Sequence, residues 1–381
     1  MPAIPFIKKR IGHAYLIWFE NSNLYLMLEE PAWFVFRKTA MRCKAETIAG
    51  EFAVRYSNTP KESISFVKNI RLKIEEMNRV DNSLQRPVPF INRLNEHTFS
   101  PFSIHHYRLG NKMVAFSYET FNFENYIHPL ICQFKTTDAN IDRILFELFA
   151  FEARIVFRFN GTVKGEWKQD ESHFVKGLIF MFLINVLHDK TDADWLMTVH
   201  ASAITNRKKT ILFSAPPGYG KTTFAAMLQA KGYTLISDDF VPIDRKAFKA
   251  YPFPIAMSVK EGSIALLSSQ FPSLEQSPLN FITAEKSVRY LPSNTGIDLT
   301  HDVYPVKEII FIKYDSSVDF LWEKLDTASA MKLLFEQAWI APVQGNAAIL
   351  FDMVLQISFF QLTYSNNQKA LDAVSNLFDH D

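Results

Sequence analysis

A nine-residue segment between an apolar run and a helix-forming run constrains this chain more than any other part of the sequence. Residues 210–214 predict a short buried strand, and residues 224–231 predict a helix. The segment between them reads Ala215-Pro216-Pro217-Gly218-Tyr219-Gly220-Lys221-Thr222-Thr223. A strand, a Gly-x-Gly-Lys-Thr turn and a helix, in this order, are typical of a phosphate-binding loop. The sequence therefore predicts a nucleotide phosphate site in a domain of the α/β class.

Each residue type in this loop has a physical reason to be there. Glycines at 218 and 220 let backbone N–H groups turn inward around phosphate oxygens, and the following helix contributes its positive N-terminal end. Lys221 reaches the β- and γ-phosphates, and the hydroxyl of Thr222 completes a magnesium shell. Ala215 stands where the usual pattern has glycine, which is tolerated if its φ is negative. We therefore expect ATP and Mg²⁺ to bind at residues 215–223.

Two adjacent carboxylates and a histidine are candidates for the chemistry beside this loop. Asp238 and Asp239 follow an apolar strand at 233–237, and neighbouring side chains of an extended chain point in opposite directions. One carboxylate can then face a metal while the other faces an incoming hydroxyl; the alternative is that one of them only caps a turn. His200 precedes a strand that adjoins the loop strand, so it is either a catalytic or orienting group or a structural histidine.

Composition excludes several classes of function. The 381 residues carry 41 basic and 40 acidic side chains, and a net charge of +1 gives no electrostatic footprint for nucleic acid or an anionic membrane. The longest apolar run, residues 178–184, is far shorter than the roughly 20 residues that span a bilayer, and it belongs to a predicted buried helix over 171–188. Cys43 and Cys132 match neither a zinc nor a disulfide framework. We expect a cytoplasmic protein with no nucleic-acid or membrane partner.

The pattern along the chain predicts two domains. Residues 1–85 show a β-hairpin over 14–28 followed by three helices, and residues 81–102 are rich in proline and polar side chains, as in a linker. Residues 86–381 alternate predicted strands and helices, with a helix over 140–149. Phenylalanine makes up 35 of the 381 residues, which favours large, strand-rich cores. We expect a small α+β domain followed by a nucleotide-binding domain with a mixed, strand-rich sheet.

Residues 200–239 resemble the catalytic domain of HPr kinase/phosphorylase, a bacterial protein-serine kinase with a phosphoenolpyruvate-carboxykinase-like core. The shared elements are a histidine that opens a β-hairpin, the phosphate loop, a Lys-Gly turn and paired aspartates: His200, Ala215 to Thr222, Lys231-Gly232 and Asp238-Asp239. Four later segments are similar to shorter HPr-kinase-like proteins of ribosomal-peptide natural-product clusters: residues 251–254, 259–263, 287–291 and 305–311. The resemblance covers roughly residues 100–375 and is strongest over 195–265.

The resemblance implies a role for each residue of the site. Asp238 would act as the base on the acceptor hydroxyl, Asp239 and Thr222 would hold magnesium, and His200 would tune or orient the base. Because HPr kinases form hexamers, a homo-oligomer is implied as well. The segment with which HPr-directed members contact their protein substrate and support phosphorolysis is not identifiable in this sequence, so neither HPr nor the reverse reaction is implied.

Residues 1–85 resemble a PqqD-like domain, a winged-helix module that binds leader peptides of ribosomally made natural products as an added strand. The resemblance rests on the hairpin, the three helices and Tyr25-Leu26-Met27-Leu28 before the first helix. A small accessory domain that packs against the kinase is the alternative interpretation.

The function predicted from these residues is an ATP- and magnesium-dependent serine kinase. It would transfer the γ-phosphate to a serine-type hydroxyl of a peptide or small protein, such as a natural-product precursor, with Lys221 stabilising the transferred charge. Lys260 and Arg289 are candidates for reaching over the transferring phosphate. Two alternatives stay open: a kinase for a small molecule such as free serine, and a non-catalytic regulator in which the nucleotide only controls peptide binding.

Overall fold

The computed structural model describes residues 4–79, 88–138, 144–283, 286–293, 297–343 and 345–379. These residues belong to the α/β class, with mixed sheets and helices, as the sequence predicts. They separate into two compact units. Within the described residues, no helix combines the length and the apolar character that crossing a membrane requires.

The first unit contains the described residues up to 79 together with Leu325–Glu336 and Pro342–Gln356. Numbered along the whole chain, its elements are β1 (Phe6–Ile11), β2 (Ala14–Phe19), β3 (Leu24–Glu29), α1 (Glu30–Ala40), α2 (Ala45–Tyr56), α3 (Pro60–Met77), α10 (Thr327–Gln337) and α11 (Asn346–Met353). The last residue of α10, Gln337, belongs to the second unit. The strands form an antiparallel sheet in the order β1-β2-β3. The hairpin and the three helices are confirmed, and β1 is an additional strand. The winged-helix likeness stays a prediction.

Helices α10 and α11 lie with the first unit, although the sequence pattern places them in the second domain. The ring of Tyr25 on β3 stacks on Phe335, with centroids 5.1 Å apart, and meets Phe351 edge-on at 6.4 Å. Lys9 on β1 also forms an ion pair with Asp352. Contacts between segments so far apart in sequence leave no trace in local periodicity, which explains the difference. The predicted boundary between residues 85 and 86 lies outside the described residues.

The second unit contains the described residues of Arg86–Lys324, Gln337–Ala341 and Ile357–Asp381. Its helices are α4 (Val88–Glu96), α5 (Phe121–Ile131), α6 (Ser172–Leu187), α7 (Lys221–Ala230), α8 (Glu261–Leu267), α9 (Ser273–Gln276) and α12 (Asn367–Asp379). Its strands are β4 (Ser103–Leu109), β5 (Lys112–Tyr118), β6 (Lys135–Thr136), β7 (Ile144–Phe151), β8 (Arg154–Phe159), β9 (Thr162–Trp167), β10 (Trp195–Val199), β11 (Ala201–Thr205), β12 (Thr210–Ser214), β13 (Thr234–Ser237), β14 (Val241–Asp244), β15 (Lys249–Ala250), β16 (Met257–Lys260), β17 (Leu279–Thr283), β18 (Lys286–Leu291), β19 (Tyr304–Tyr314), β20 (Phe320–Lys324), β21 (Ala338–Ile340) and β22 (Ser358–Tyr364).

Three sheets organise this unit. The largest follows the order β13-β11-β12-β19-β15-β14-β10-β21, and β22 joins it by pairing with both β19 and β20. It is mixed, because β12 runs parallel to β19 and β19 runs parallel to β22, while the hairpin of β11 and β12 is antiparallel. The second sheet follows the order β6-β4-β5-β7-β8-β9, and the third follows the order β16-β18-β17.

Two apolar cores lie against these sheets. In one, side chains of the six-stranded sheet such as Phe146 pack with Ile179 and its neighbours on α6. In the other, Phe213 on β12 packs with Phe224 on α7 and Val374 on α12. The second core therefore supports the strand before the phosphate loop and the helix after it.

Two of the secondary-structure elements predicted above for this unit are wrong. The stretch 144–149, predicted as helix, is part of strand β7, because Phe146 and Leu148 are buried in the sheet core while Glu147 faces Arg158 across the strand pair. The remainder of the predicted helix, residues 140–143, lies outside the described residues. Part of the predicted linker is helix α4, which buries Leu94 against Phe149 and Val156. In both places tertiary packing overrides the local pattern.

A buried ion pair connects the six-stranded sheet to α4. Arg158 on β8 donates two hydrogen bonds to Glu147, from Nε to Oε2 and from Nη2 to Oε1, each at 2.7 Å. Its remaining nitrogen, Nη1, donates to the backbone carbonyls of Asn95 at 3.0 Å and His97 at 2.8 Å. The guanidinium therefore neutralises the carboxylate of Glu147 and also donates hydrogen bonds to carbonyl groups at the C-terminal end of the helix.

Replacing this arginine should be strongly destabilising. Arg158→Ala leaves the carboxylate of Glu147 buried without its partner, which should lower the free energy of unfolding by about 3–5 kcal/mol. Arg93→Ala is the matched control, because Arg93 pairs with Glu152 at 2.8 Å where both side chains are exposed, and it should cost less than about 1 kcal/mol. Urea denaturation of the full chain measures both values, and equal losses would contradict this account.

Candidate active site

The predicted phosphate loop, residues 215–223, has the local structure that its sequence predicts. Strand β12 ends at Ser214 and helix α7 begins at Lys221. Gly218 and Gly220 have φ values of +99° and +91°, a region that favours glycine. A Cβ on Gly220 would also lie 3.3 Å from the Cβ of Tyr314, which is an unusually tight contact. Ala215 is buried with negative φ, as its departure from the usual glycine requires.

Strand order brings the other polar groups to this loop. Strand β11 lies between β12 and β13, so residues 200–202 at its start lie next to the first residues of the loop. After α7 the chain returns as β13 and pairs antiparallel with β11, with Ser237 opposite Ala203. The two aspartates that follow β13 therefore arrive beside His200 and Ser202.

Asp238 is held at the base of the site. Its Oδ1 accepts a hydrogen bond from Ser202 Oγ at 2.5 Å, and its Oδ2 accepts one from Thr222 Oγ1 at 3.0 Å. The side chain is buried. Burial raises the pKa of Asp238 above its ordinary value, although the ammonium of Lys221 acts in the opposite direction, while the charge of Asp239 adds to the rise.

Asp239 lies between the side chains of Lys221 and His200. Its Oδ1 is 2.8 Å from Lys221 Nζ and 2.6 Å from His200 Nε2. Loss of hydration acts to raise the pKa of Asp239, but Lys221 and His200 outweigh it and hold that pKa well below the usual range. Gln337 holds the histidine in place: its carbonyl accepts from the backbone N–H of His200 at 2.7 Å, and its side-chain Oε1 lies 3.1 Å from Nδ1.

The backbone at the aspartate pair differs from the extended chain that the sequence predicts. Asp239 has a φ of +72°, a left-handed conformation that aspartate tolerates better than most residues. Both carboxylates therefore reach the same loop instead of pointing to opposite sides. The resemblance grouped Thr222 with Asp239, whereas in the structure Thr222 contacts Asp238 and Lys221 contacts Asp239.

These side chains line one cavity of about 340 Å³. The loop and its two carboxylates form one side of it, together with His200. The remaining described lining residues come from α6, β16, α8, β17 and β18: Lys176, Ser258, Lys260, Ser263, Ile282, Val288 and Tyr290. Of the predicted loop residues, Tyr219 lies outside this lining, and its side chain is exposed.

The two basic residues that the sequence suggested for phosphate contact lie in different places. Lys260 lines the cavity, and its Nζ is 3.9 Å from the point where a Cβ on Gly218 would lie. Arg289 does not line it and donates a hydrogen bond to the carbonyl of Ser277 instead. Side chains alternate along a strand, so the residues on either side of Arg289 face the cavity and Arg289 faces away from it.

Sequence reasoning missed several lining residues. Lys176 comes from the predicted buried helix, where a single lysine among apolar residues gave only a weak signal. Ser263 on α8 accepts a hydrogen bond from Thr223 Oγ1 at 2.7 Å; it ends one of the segments of family resemblance, but the sequence gave it no role in the site. Three lysines, Lys176, Lys221 and Lys260, thus line a cavity that also contains two carboxylates. This charge distribution suits a polyanion and a cation bound together.

The chain was compared with known proteins. No family model matches it. No curated protein matches it either. Among solved structures it is similar to the Hpr(Ser) kinase/phosphatase from Coxiella burnetii, with 13% sequence identity and a TM-score of 0.21, over 47% of this chain and 94% of that chain. So weak a likeness carries no argument, and any function must be supported by the residues of the site.

The two aspartates should respond to substitution in opposite ways. Asp239→Asn removes the partner of the buried Lys221 and should lower the free energy of unfolding at pH 7 by about 1–2 kcal/mol, since the half-exposed carboxylate is partly screened by water. Asp238→Asn removes a charge that burial disfavours, and an asparagine can still accept from Ser202. It should leave the stability unchanged or raise it.

The sign of these effects follows from the direction of each pKa shift. A lowered pKa for Asp239 means that its ionised carboxylate stabilises the fold at pH values above the ordinary aspartate pKa. A raised pKa for Asp238 means that its ionised carboxylate destabilises the fold at those pH values. Thermal unfolding without nucleotide, at pH 7, measures both variants. Comparable destabilisation by the two substitutions would contradict this description of the site.

Proposed function

We propose that this chain is a kinase that uses ATP and Mg²⁺ and transfers the γ-phosphate to a serine-type hydroxyl of a peptide or small protein. One observation carries the proposal: two neighbouring loop side chains, Lys221 and Thr222, each contact one of two adjacent carboxylates beside a single cavity. A protein that only binds a nucleotide needs the loop, but it has no need of a second carboxylate held by a histidine.

Thr222 and Asp238 would hold the magnesium ion. Their oxygen atoms, Oγ1 and Oδ2, lie 3.0 Å apart next to the loop, and Mg²⁺ prefers oxygen ligands of this kind. When bound, the ion supplies positive charge that stabilises the phosphate oxygens during transfer. A nearby cation also favours the ionised form of Asp238, whose charge is otherwise disfavoured by burial.

Asp239 would accept the proton of the acceptor hydroxyl. Its side chain is half-exposed at the cavity, whereas that of Asp238 is enclosed. A phosphate group that draws Lys221 toward itself weakens the ion pair with Asp239, which raises the pKa of this carboxylate and makes it a better base. His200, fixed by Gln337, would keep the carboxylate oriented. These roles for the aspartates are the reverse of those that the resemblance implies.

A peptide or small-protein acceptor is supported by the form of the first unit. Its antiparallel sheet has β1 and β3 at its edges, and an edge strand can accept an extended peptide as a further strand. A protein that binds such a peptide and carries a phosphate-transfer site has the parts that a peptide kinase needs.

The two proposed roles predict different kinetic defects. Asp239→Asn should lower the rate of γ-phosphate transfer by about 10² or more, with little change in nucleotide affinity. Asp238→Asn should raise the magnesium concentration that is needed for half-maximal rate. Asp319→Asn is the control, because this exposed aspartate pairs only at the surface with Lys369 and Asn366. Transfer from γ-labelled ATP, titrated with Mg²⁺, gives all three values.

The acceptors in this assay decide between the functions. Peptides encoded beside the gene and free serine are supplied separately, and mass spectrometry locates the label. Label on a peptide hydroxyl that is lost in Asp239→Asn supports the proposal. Label on free serine alone makes the protein a small-molecule kinase, and nucleotide binding without any labelled product leaves only a regulator. Full transfer by Asp239→Asn would overturn the role of this carboxylate.

The basic residues predict a second contrast. Lys260→Ala should weaken ATP binding by about five- to tenfold, because it removes a charge from the cavity near the loop. Arg289→Ala should change the affinity less than twofold, because that side chain faces Ser277. Calorimetric titration with ATP and Mg²⁺ measures both. An equal loss of affinity in the two variants would show that Arg289 reaches the nucleotide.

A further inference from the structure

A second group of metal-ligating side chains lies on the six-stranded sheet, away from the cavity. His105 is on β4, and Glu124 and His128 are one turn apart on α5. One ligand atom from each residue lies within 4.8 Å of the other two. His105 Nε2 and Glu124 Oε1 are 2.9 Å apart, and the two imidazole rings stack with centroids 4.4 Å apart. The three side chains thus converge on one point.

We propose that His105, Glu124 and His128 bind a divalent transition metal ion of the Zn²⁺ class. Two imidazoles and a carboxylate form a ligand set that suits Zn²⁺, Co²⁺ or Fe²⁺, whereas Mg²⁺ prefers oxygen ligands alone. Three protein ligands leave a fourth position for water or another small ligand. The site is independent of the proposed kinase function, because none of its residues lines the cavity.

Neighbouring groups already orient two of the three ligands. Ser103 Oγ donates to Glu124 Oε2 at 2.7 Å, which leaves Oε1 directed at His105. His128 Nδ1 lies 2.7 Å from the hydroxyl of the fully buried Tyr107. This contact engages Nδ1, so an ion would bind His128 through its other ring nitrogen, Nε2. Outer partners of this kind fix the tautomer and the orientation of metal ligands in proteins.

The local structure makes the cluster rigid and accessible. Glu124 and His128 are four residues apart on a helix, so they share one face, and α5 packs on the sheet that carries His105. The side chains of His105 and Glu124 are 14% and 17% exposed, so the site is shielded from most of the solvent but open to a small fourth ligand.

A metal ion here would join β4 to α5 and, through α5, to the chain beside the cavity. The carbonyl of Leu130, near the end of α5, accepts a hydrogen bond from the backbone N–H of Ala256 at 2.8 Å. Strand β16 begins at the next residue and supplies Ser258 and Lys260 to the cavity. The ion would therefore stabilise the helix that this segment packs against.

Cobalt titration tests the proposal directly. The full chain, stripped of metal with a chelator, is titrated with Co²⁺ while the visible d–d absorption is recorded, and Zn²⁺ is then added as competitor. We expect one equivalent of Co²⁺ per chain, displaced by Zn²⁺, with at least a tenfold loss of affinity in Glu124→Gln and in His128→Gln. His301→Gln, at an exposed histidine, and His200→Gln, at the phosphate loop, should keep the signal.

Three outcomes would overturn the proposal: no Co²⁺ absorption in the wild type, a signal that persists in a Glu124→Gln/His128→Gln double variant, or a signal that is lost in His200→Gln instead. The last result would place the ion at the phosphate loop. Far-UV circular dichroism shows whether each variant is folded. Zn²⁺ should raise the melting temperature of the wild type and not that of a folded Glu124→Gln variant, since only an ion bound to the native state stabilises it.

Discussion

A buried ammonium group at the start of α7 requires an acidic partner, and the arrangement around the phosphate loop follows from this need. Lys221 is almost fully enclosed and pairs with Asp239 at 2.8 Å; loss of this partner would cost about 1–2 kcal/mol, because the half-exposed carboxylate is partly screened by water. The pair can form only because β13 returns beside β11 and the chain then turns through a positive φ at Asp239. His200 completes the pair from the other side. The ion pair of Lys221 thus depends both on the order of the strands and on the backbone conformation of Asp239.

The same arrangement gives two adjacent carboxylates different properties. Asp238 is enclosed and bonded to hydroxyl groups, so burial raises its pKa, whereas Asp239 is bonded to Lys221 and His200, which hold its pKa low. Groups of one chemical type with opposite shifts can take separate tasks in one reaction. This separation is the physical basis of our proposal that one aspartate holds the metal and the other accepts the proton.

Sequence patterns predicted the elements whose signals are local. The hairpin of β2 and β3 and helix α3, which begins at a Thr59 capping box with Glu62, follow from a few neighbouring residues. The patterns failed where packing decides. Strand β7 has a composition that suits a helix as well as a strand, and only its neighbours in the sheet determine which one forms. Helix α4 lies within a polar, proline-containing stretch that is typical of a linker. Helices α10 and α11 belong to a unit whose other residues are distant from them in sequence.

By itself the sequence determined the conformation of the loop at residues 215–223, because the glycines that allow positive φ and the helix that follows them lie within a few consecutive residues. It also identified the aspartate pair and His200 as candidates. Only the tertiary structure decided that Thr222 meets Asp238, that Arg289 faces away from the cavity, and that His105 converges with two residues of α5. Such contacts depend on strand order and on which face of an element is buried. Both are set by the packing of the whole unit and not by neighbouring residues in the chain.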